Sequence, residues 1–268
     1  MVQTVLLLFF LTSVVYSHDI WLLPDRFTLA KDDTLTVRQL AGSELEIEVE
    51  LEFMRGTTRR FELMTSEESV NLLSEFPDAK TQPVVKPVLK RKLDFDGLAL
   101  LVMDHSFLYD KFSRKKFIEY LEEEGFELEK FQDQIGDKST QVERWARTVK
   151  CLVQVGDVTE GDLHKRKVGQ KLEILLLQNP YQLSLGDELE VQVLFDDKPL
   201  EDQLVTAFNG DGEQRILTAR SHTNAQGIAR FNLDRKEFWL IRLVYLMPCP
   251  HPKVDWESYW TSYSFELD

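Results

Sequence analysis

Residues Glu44–Met54 read ELEIEVELEFM, and this stretch decides the fold class. Leu45, Ile47, Val49, Leu51 and Phe53 alternate with Glu44, Glu46, Glu48, Glu50 and Glu52. A period of two sends successive side chains to opposite faces, so one face is apolar and the other carries carboxylates. Such a strand lies with one side on a core and the other in water, as antiparallel sandwich strands do. Thr34–Leu40 and Leu98–Met103 are predicted as strands of the same unit. Pro77–Pro87, with its three prolines, reads as a loop or edge segment.

Further along, Ser113 is placed to cap a helix that carries Phe117, Tyr120 and Leu121 on one face and ends at Gly125. A second helix is predicted from Thr140 to about Leu152, where Val142, Trp145, Ala146 and Val149 recur at near-helical spacing. Together they make a helical insertion, about 113–150, within an N-terminal β unit spanning 18–155. Residues 156–168 belong to a charged, glycine-bearing stretch and read as a linker. From 169 to 268 the β signals return. Leu172–Gln178, Leu189–Phe195, Leu204–Phe208, Ile228–Leu233, Trp239–Leu246 and Ser258–Leu267 are separated by Gly- and Asp-containing turns. That is the size of an immunoglobulin-like sandwich. The expected fold is mainly β: two immunoglobulin-like β-sandwich units, separable at the linker, with the helical insertion in the first.

At the other end, Met1–Ser17 reads MVQTVLLLFFLTSVVYS. The apolar run closing in Val15-Tyr16-Ser17 has the form of a signal peptide, residues 1–17, cut after Ser17. It is shorter than the roughly 20 apolar residues of a comfortable membrane span, so no transmembrane span is expected in the mature chain. The location this implies is periplasmic or secreted. A hydrophobic content of 43% supports a real core, and a net charge of −14 argues against nucleic acid as a partner. An exported chain permits a disulfide, but Cys151 and Cys249 alone are no framework, and their pairing is left open.

Signals for catalysis are thin. There is no GxSxG, no phosphate-binding glycine loop and no HExxH, so an enzyme is the least favoured class. The five histidines are His18, His105, His164, His222 and His251. Cleavage after Ser17 would make His18 terminal, and a terminal histidine offers an α-amine and an imidazole to one metal ion. The alternative is that His18 merely begins a strand. His222 precedes a turn and His251 stands between Pro250 and Pro252, so each is free to reach a pocket. His105 reads as a surface or capping residue and His164 as a solvated one. His18, His251 and His222 are therefore the expected metal ligands, with nitrogen donors that suit nickel, cobalt or copper better than magnesium or calcium. Asp255 and Glu257, just before the last strand, are further expected binding residues, facing a cation or Arg242.

Several segments carry a resemblance: His18–Pro24 (HDIWLLP), Phe117–Gly125 (FIEYLEEEG), Arg144–Val155, Val168–Ile174, Asn179–Tyr181 and Asp255–Trp260 (DWESYW). They resemble the DUF4198 family of bacterial exported proteins, over nearly the whole mature chain. The resemblance implies a link to nickel or cobalt uptake: a periplasmic protein that handles a divalent transition metal and presents it to a membrane metal transporter or envelope protein. In sequences of this type a histidine often stands near Tyr245, and His251 is the available substitute. The rival class is a non-catalytic β-sandwich interaction module that binds a protein or glycan. That class requires an exposed aromatic or apolar patch rather than a free His18 amine.

Overall fold

The computed structural model describes residues 18–43, 46–76, 85–210 and 215–267. Strands β1 (Asp19–Pro24), β2 (Thr28–Leu29), β3 (Thr34–Ser43), β4 (Glu46–Leu51), β5 (Thr58–Met64), β6 (Ser69–Asn71), β7 (Leu89–Lys92), β8 (Gly97–His105) and β9 (Leu108–Ser113) lead into helix α1 (Arg114–Glu123) and the short α2 (Gln132–Ile135). There follow β10 (Thr140–Val155), β11 (Leu172–Leu176), β12 (Glu188–Phe195), β13 (Lys198–Pro199), β14 (Leu204–Gly210), β15 (Arg215–His222), β16 (Ile228–Asn232), β17 (Glu237–Pro248) and β18 (Trp256–Leu267).

A central sheet runs β15-β14-β17-β18-β10-β8-β5-β6. A smaller sheet, β1-β3-β4 with β7, and another, β11-β12-β13 with β16, complete the set. Alternation along the central strands assigns one small sheet to each face. Ala99, Leu101 and Met103 of β8, Val149, Cys151 and Val153 of β10, and Phe238 and Leu240 of β17 join the core under β1 and β3. Their neighbours Leu98, Leu100, Val102, Leu152, Trp239, Ile241 and Leu243 join the core under β11 and β12. The protein is thus mainly β and sandwich-like, with two sandwich cores that share one middle sheet. A buried ion pair ties the middle sheet to the second small one. Lys150 Nζ lies 2.6 Å from Glu173 Oε1 and also donates to Ile174 O at 3.0 Å.

Four expectations are corrected, those for Thr140–Leu152, for the interval 156–168, for His164 and for His105. Thr140–Leu152 is not a helix but most of β10. A strand covered on both faces loses its period-two signal, because both sets of side chains are apolar or neutralised. The interval 156–168 does not separate two sets of strands. β10 pairs in parallel with β18 from Glu143↔Trp256 to Cys151↔Ser264, so the central sheet draws on both halves of the chain. Nor is that interval a solvated tether: Leu163 and His164 are buried, and the Tyr263 hydroxyl donates to His164 O at 3.2 Å. His105, too, is buried rather than superficial, with Nε2 3.0 Å from Gln39 Nε2.

Other expectations hold. Ile47, Val49 and Leu51 of β4 pack against the core, as alternation requires, while Glu44 and Leu45 lie outside the described residues. Most of Pro77–Pro87 and all of Met1–Ser17 lie outside them as well. Ser113 caps α1, its Oγ accepting from Lys116 N at 3.3 Å, and Phe117, Tyr120 and Leu121 are buried. They pack with Val244, Leu246, Trp256 and Trp260, which puts the insertion on the central sheet beside β1. Gly125 follows at φ +78°, and a Cβ there would meet Leu204 Cδ2 at 2.6 Å, so the helix end presses closely on β14. Cys151 and Cys249 are both free thiols.

Candidate functional site

The segment HDIWLLP becomes β1, and the central sheet is shaped to receive it. β18 presents Ser262 and Ser264 to it, whose hydroxyls donate to Ile20 O at 2.6 Å and Leu22 O at 2.8 Å. Small side chains there let one backbone lie directly on another. Arg147 Nη2 donates to His18 O at 2.8 Å, and its guanidinium stacks on the Trp145 ring, 4.1 Å from the centroid. Burial lowers the pKa of Arg147 to about 10. Asp19 is buried and holds Arg242 Nε at 2.5 Å, while Arg242 Nη1 reaches Glu124 Oε2 at 2.6 Å. One guanidinium therefore ties the first strand, the end of α1 and β17 together. Burial pushes Asp19 up to about 6, against the pull of Arg242, so it is still ionised at pH 7. Burial also opposes the charge on Arg242, but Asp19 and Glu124 together outweigh it and hold the guanidinium above its ordinary pKa.

His18 is thereby fixed at its own backbone and at its neighbour. Its ring lies between two oxygens: Nδ1 is 2.9 Å from Ser43 Oγ, and Nε2 is 3.0 Å from Glu48 Oε2. Burial lowers the pKa of His18, and the neighbouring Glu48 opposes that shift. Beside it opens a cleft of about 430 Å³, lined by Asp19, Ser43, Glu123, Glu124, Arg220 and Arg242 among others. With Glu46, four carboxylates line it against two guanidiniums, a balance that favours a cationic ligand.

A model of the family described as a domain of unknown function, DUF4198, matches residues 15–246. The chain belongs to the DUF4198 family. The matched range opens just before His18 and stops at Leu246, so Asp255–Trp260 lies beyond it. No curated protein matches this DUF4198 chain in sequence. Among solved structures, the D0-D1 domain of intimin is 11% identical, with 92% of this chain and 96% of that chain covered, at a TM-score of 0.22. Murine CEACAM1b is 9% identical, with 93% and 99% covered, at a TM-score of 0.22. Trypsin-activated α-2-macroglobulin from Escherichia coli is 8% identical at a TM-score of 0.24, the match covering 94% of this chain but 16% of that one.

The other expected ligands of this DUF4198 protein lie elsewhere. His222, exposed at the end of β15, lines a neighbouring cavity of about 110 Å³ that shares only Glu124 and Arg242 with the first. His251 is exposed in the β17–β18 loop, its Nδ1 accepting from Lys253 N at 3.4 Å. Asp255 pairs with Lys138 and accepts from Val142 N at 2.9 Å. It precedes Trp260, the residue paired with Arg147, by five positions, or roughly 17 Å of strand. Glu257 lies within β18 and turns to the opposite face, where it pairs with Arg144 and accepts from the Tyr259 hydroxyl at 2.5 Å. Neither acid meets Arg242. Tyr245 packs at a tilt against Phe195, centroids 4.7 Å apart, on the β12 side of the central sheet. A histidine there would point away from His18. The three histidines are thus not assembled into one shell. Among the described residues no group of three or more His, Cys, Asp and Glu side chains is arranged to hold a metal ion. What His18 has within reach is its own two kinds of nitrogen donor and the oxygens of Ser43 and Glu48.

Sequence reasoning missed Ser43, Glu48, Glu124 and Arg147. Arg242 alone carried a signal: a charge inside the apolar run Trp239–Leu246, where charged residues are rare unless paired.

Proposed function

We propose that this DUF4198 protein is an exported, non-catalytic binding protein that takes up a divalent transition metal as cargo, nickel, cobalt or copper, and passes it to a membrane transporter or envelope protein. The observation that carries the reading is His18. It stands at the residue that signal-peptide cleavage would make terminal, with its imidazole beside a carboxylate-rich cleft. A terminal histidine supplies two donors at little extra ordering cost, and nitrogen donors suit these metals. The rival interaction-module reading asks for a contiguous apolar patch. Among the described residues the exposed large apolar side chains are Met54, Tyr109, Val158 and Leu185, on separate segments.

The test is calorimetric titration of nickel and copper into three proteins: the mature chain beginning at His18, His18→Ala, and a mature chain with one glycine added before His18. The mature chain binds tightest, and both variants bind more weakly, the extension because it converts the amine to an amide. If all three bind alike, or none binds tighter than micromolar, His18 is structural and the reading is wrong.

A further inference from the structure

Three strands of the central sheet set a row of side chains into the cleft beside β1. β15, β14 and β17 bring Arg220, Thr206 and Arg242 into register, with Thr206 opposite both arginines. Residues in register share one face of a sheet. Phe208, two positions on from Thr206, lies in the core under β1 and β3, and Ala207 between them lies in the other core. Thr206 therefore points to the β1 side, and all three members of the row line the cleft.

The three are not equally occupied. Arg242 is held by Asp19 and Glu124. Arg220 is exposed and makes no ion pair among the described residues. Thr206 is only 4% exposed, yet among the described residues its hydroxyl meets no hydrogen-bond partner. Buried hydroxyls are ordinarily bonded, so an open one beside a free guanidinium marks a place for an acceptor group.

Another wall carries the opposite charge. Glu122 and Glu123 end α1, Glu124 follows as its C-cap, and no basic residue stands in its last turn. The C-terminal end of a helix favours cations, so three successive glutamates there work against the helix. Local rules are broken in this way at functional sites. Glu46 reaches the same cleft from β4, and among the described residues neither it nor Glu123 has an ion-pair partner. Arg220 and these two acids thus line one cleft of about 430 Å³ without pairing, and that volume is within the usual range of small-molecule sites.

We infer that the cleft binds a molecule carrying both an ammonium and a carboxylate group, a free amino acid or the end of a short peptide. Its carboxylate accepts from Arg220 and the Thr206 hydroxyl, and its ammonium donates to Glu46 and Glu123. With four carboxylates lining the cleft against two guanidiniums, the site selects a basic side chain. Neither His18 nor a bound metal enters the inference, so it stands or falls apart from the proposed metal function.

The experiment is calorimetric titration of the full chain, kept metal-free by a chelator, with L-lysine, with the dipeptide alanyl-lysine, and with 1,5-diaminopentane, which has ammonium groups but no carboxylate. L-lysine or alanyl-lysine binds, and the tighter of the two identifies the source as free amino acid or peptide. The diamine binds roughly tenfold more weakly, the loss expected for a charged hydrogen bond. Arg220→Ala weakens the tighter ligand by about the same factor and leaves the diamine unaffected, and Thr206→Val also weakens it. Glu123→Gln weakens lysine and diamine alike. Glu68→Gln, beside β6 at the far edge of the central sheet, changes none of them. If neither L-lysine nor alanyl-lysine binds tighter than millimolar, if the diamine matches them, or if Arg220→Ala and Glu123→Gln leave binding unchanged, the inference is overturned.

Discussion

Glu143 sits at the junction of the helical insertion and the central sheet, and among the described residues no cation is bonded to it. It accepts from the Ser258 hydroxyl and, at 3.5 Å, from the Tyr120 hydroxyl. Burial raises its pKa from 4.5 to about 8, so at neutral pH it is a carboxylic acid. Between those values the folded chain keeps a proton that the unfolded chain has released. The contribution to stability is complete below pH 4.5 and is lost as pH rises through about 8. His105 works in the opposite direction. Burial lowers its pKa from 6.5 to about 4, so its contribution is complete above pH 6.5 and is lost as pH falls toward 4. Urea unfolding between pH 5 and 9 separates the two. Glu143→Gln flattens the alkaline decline and leaves the acid limb as in the wild type. An alkaline limb unchanged by this substitution means that Glu143 does not hold the proton.

At the scale of elements, what could be read from sequence follows how many faces an element buries. Helix α1 and strand β4 each bury one face, so Phe117, Tyr120 and Leu121, or Ile47, Val49 and Leu51, stand out against polar neighbours. The cap of α1 was legible for the same local reason. Ser113→Ala removes the bond to Lys116 N and lowers stability by about 1 kcal/mol, measured as a shift in denaturation midpoint with the m-value unchanged. β10 is the opposite case. It buries both faces in a shared sheet, and its apolar residues mimic helical spacing. The site was legible only at His18 and, through its misplaced charge, Arg242. Ser43 is 25 residues from His18, and Asp19 is 223 from Arg242, and no local pattern encodes contacts of that span.

For the whole molecule, the shared middle sheet has a consequence for folding. The two cores lie on opposite faces of the same strands, so each depends on residues from both halves of the chain. A fragment of residues 169–268 lacks β10 and β8, which leaves β18 without its parallel partner and the β11–β12 sheet over half a core. That fragment is predicted to show no cooperative thermal transition, whereas the mature full chain unfolds in one. A sharp transition for the fragment would mean that the C-terminal sandwich stands alone. The same architecture lays β1 on the central sheet and sets His18 next to Ser43 and Asp19 of the cleft, so the proposed cleavage after Ser17 and the proposed metal function stand together. The most direct test is intact mass and metal content of the protein purified from the cell envelope, before and after reloading with nickel or copper. The account predicts a chain that begins at His18 and takes up one exchangeable transition-metal ion. A chain that still carries Met1–Ser17, or one that begins at His18 and takes up none, contradicts it.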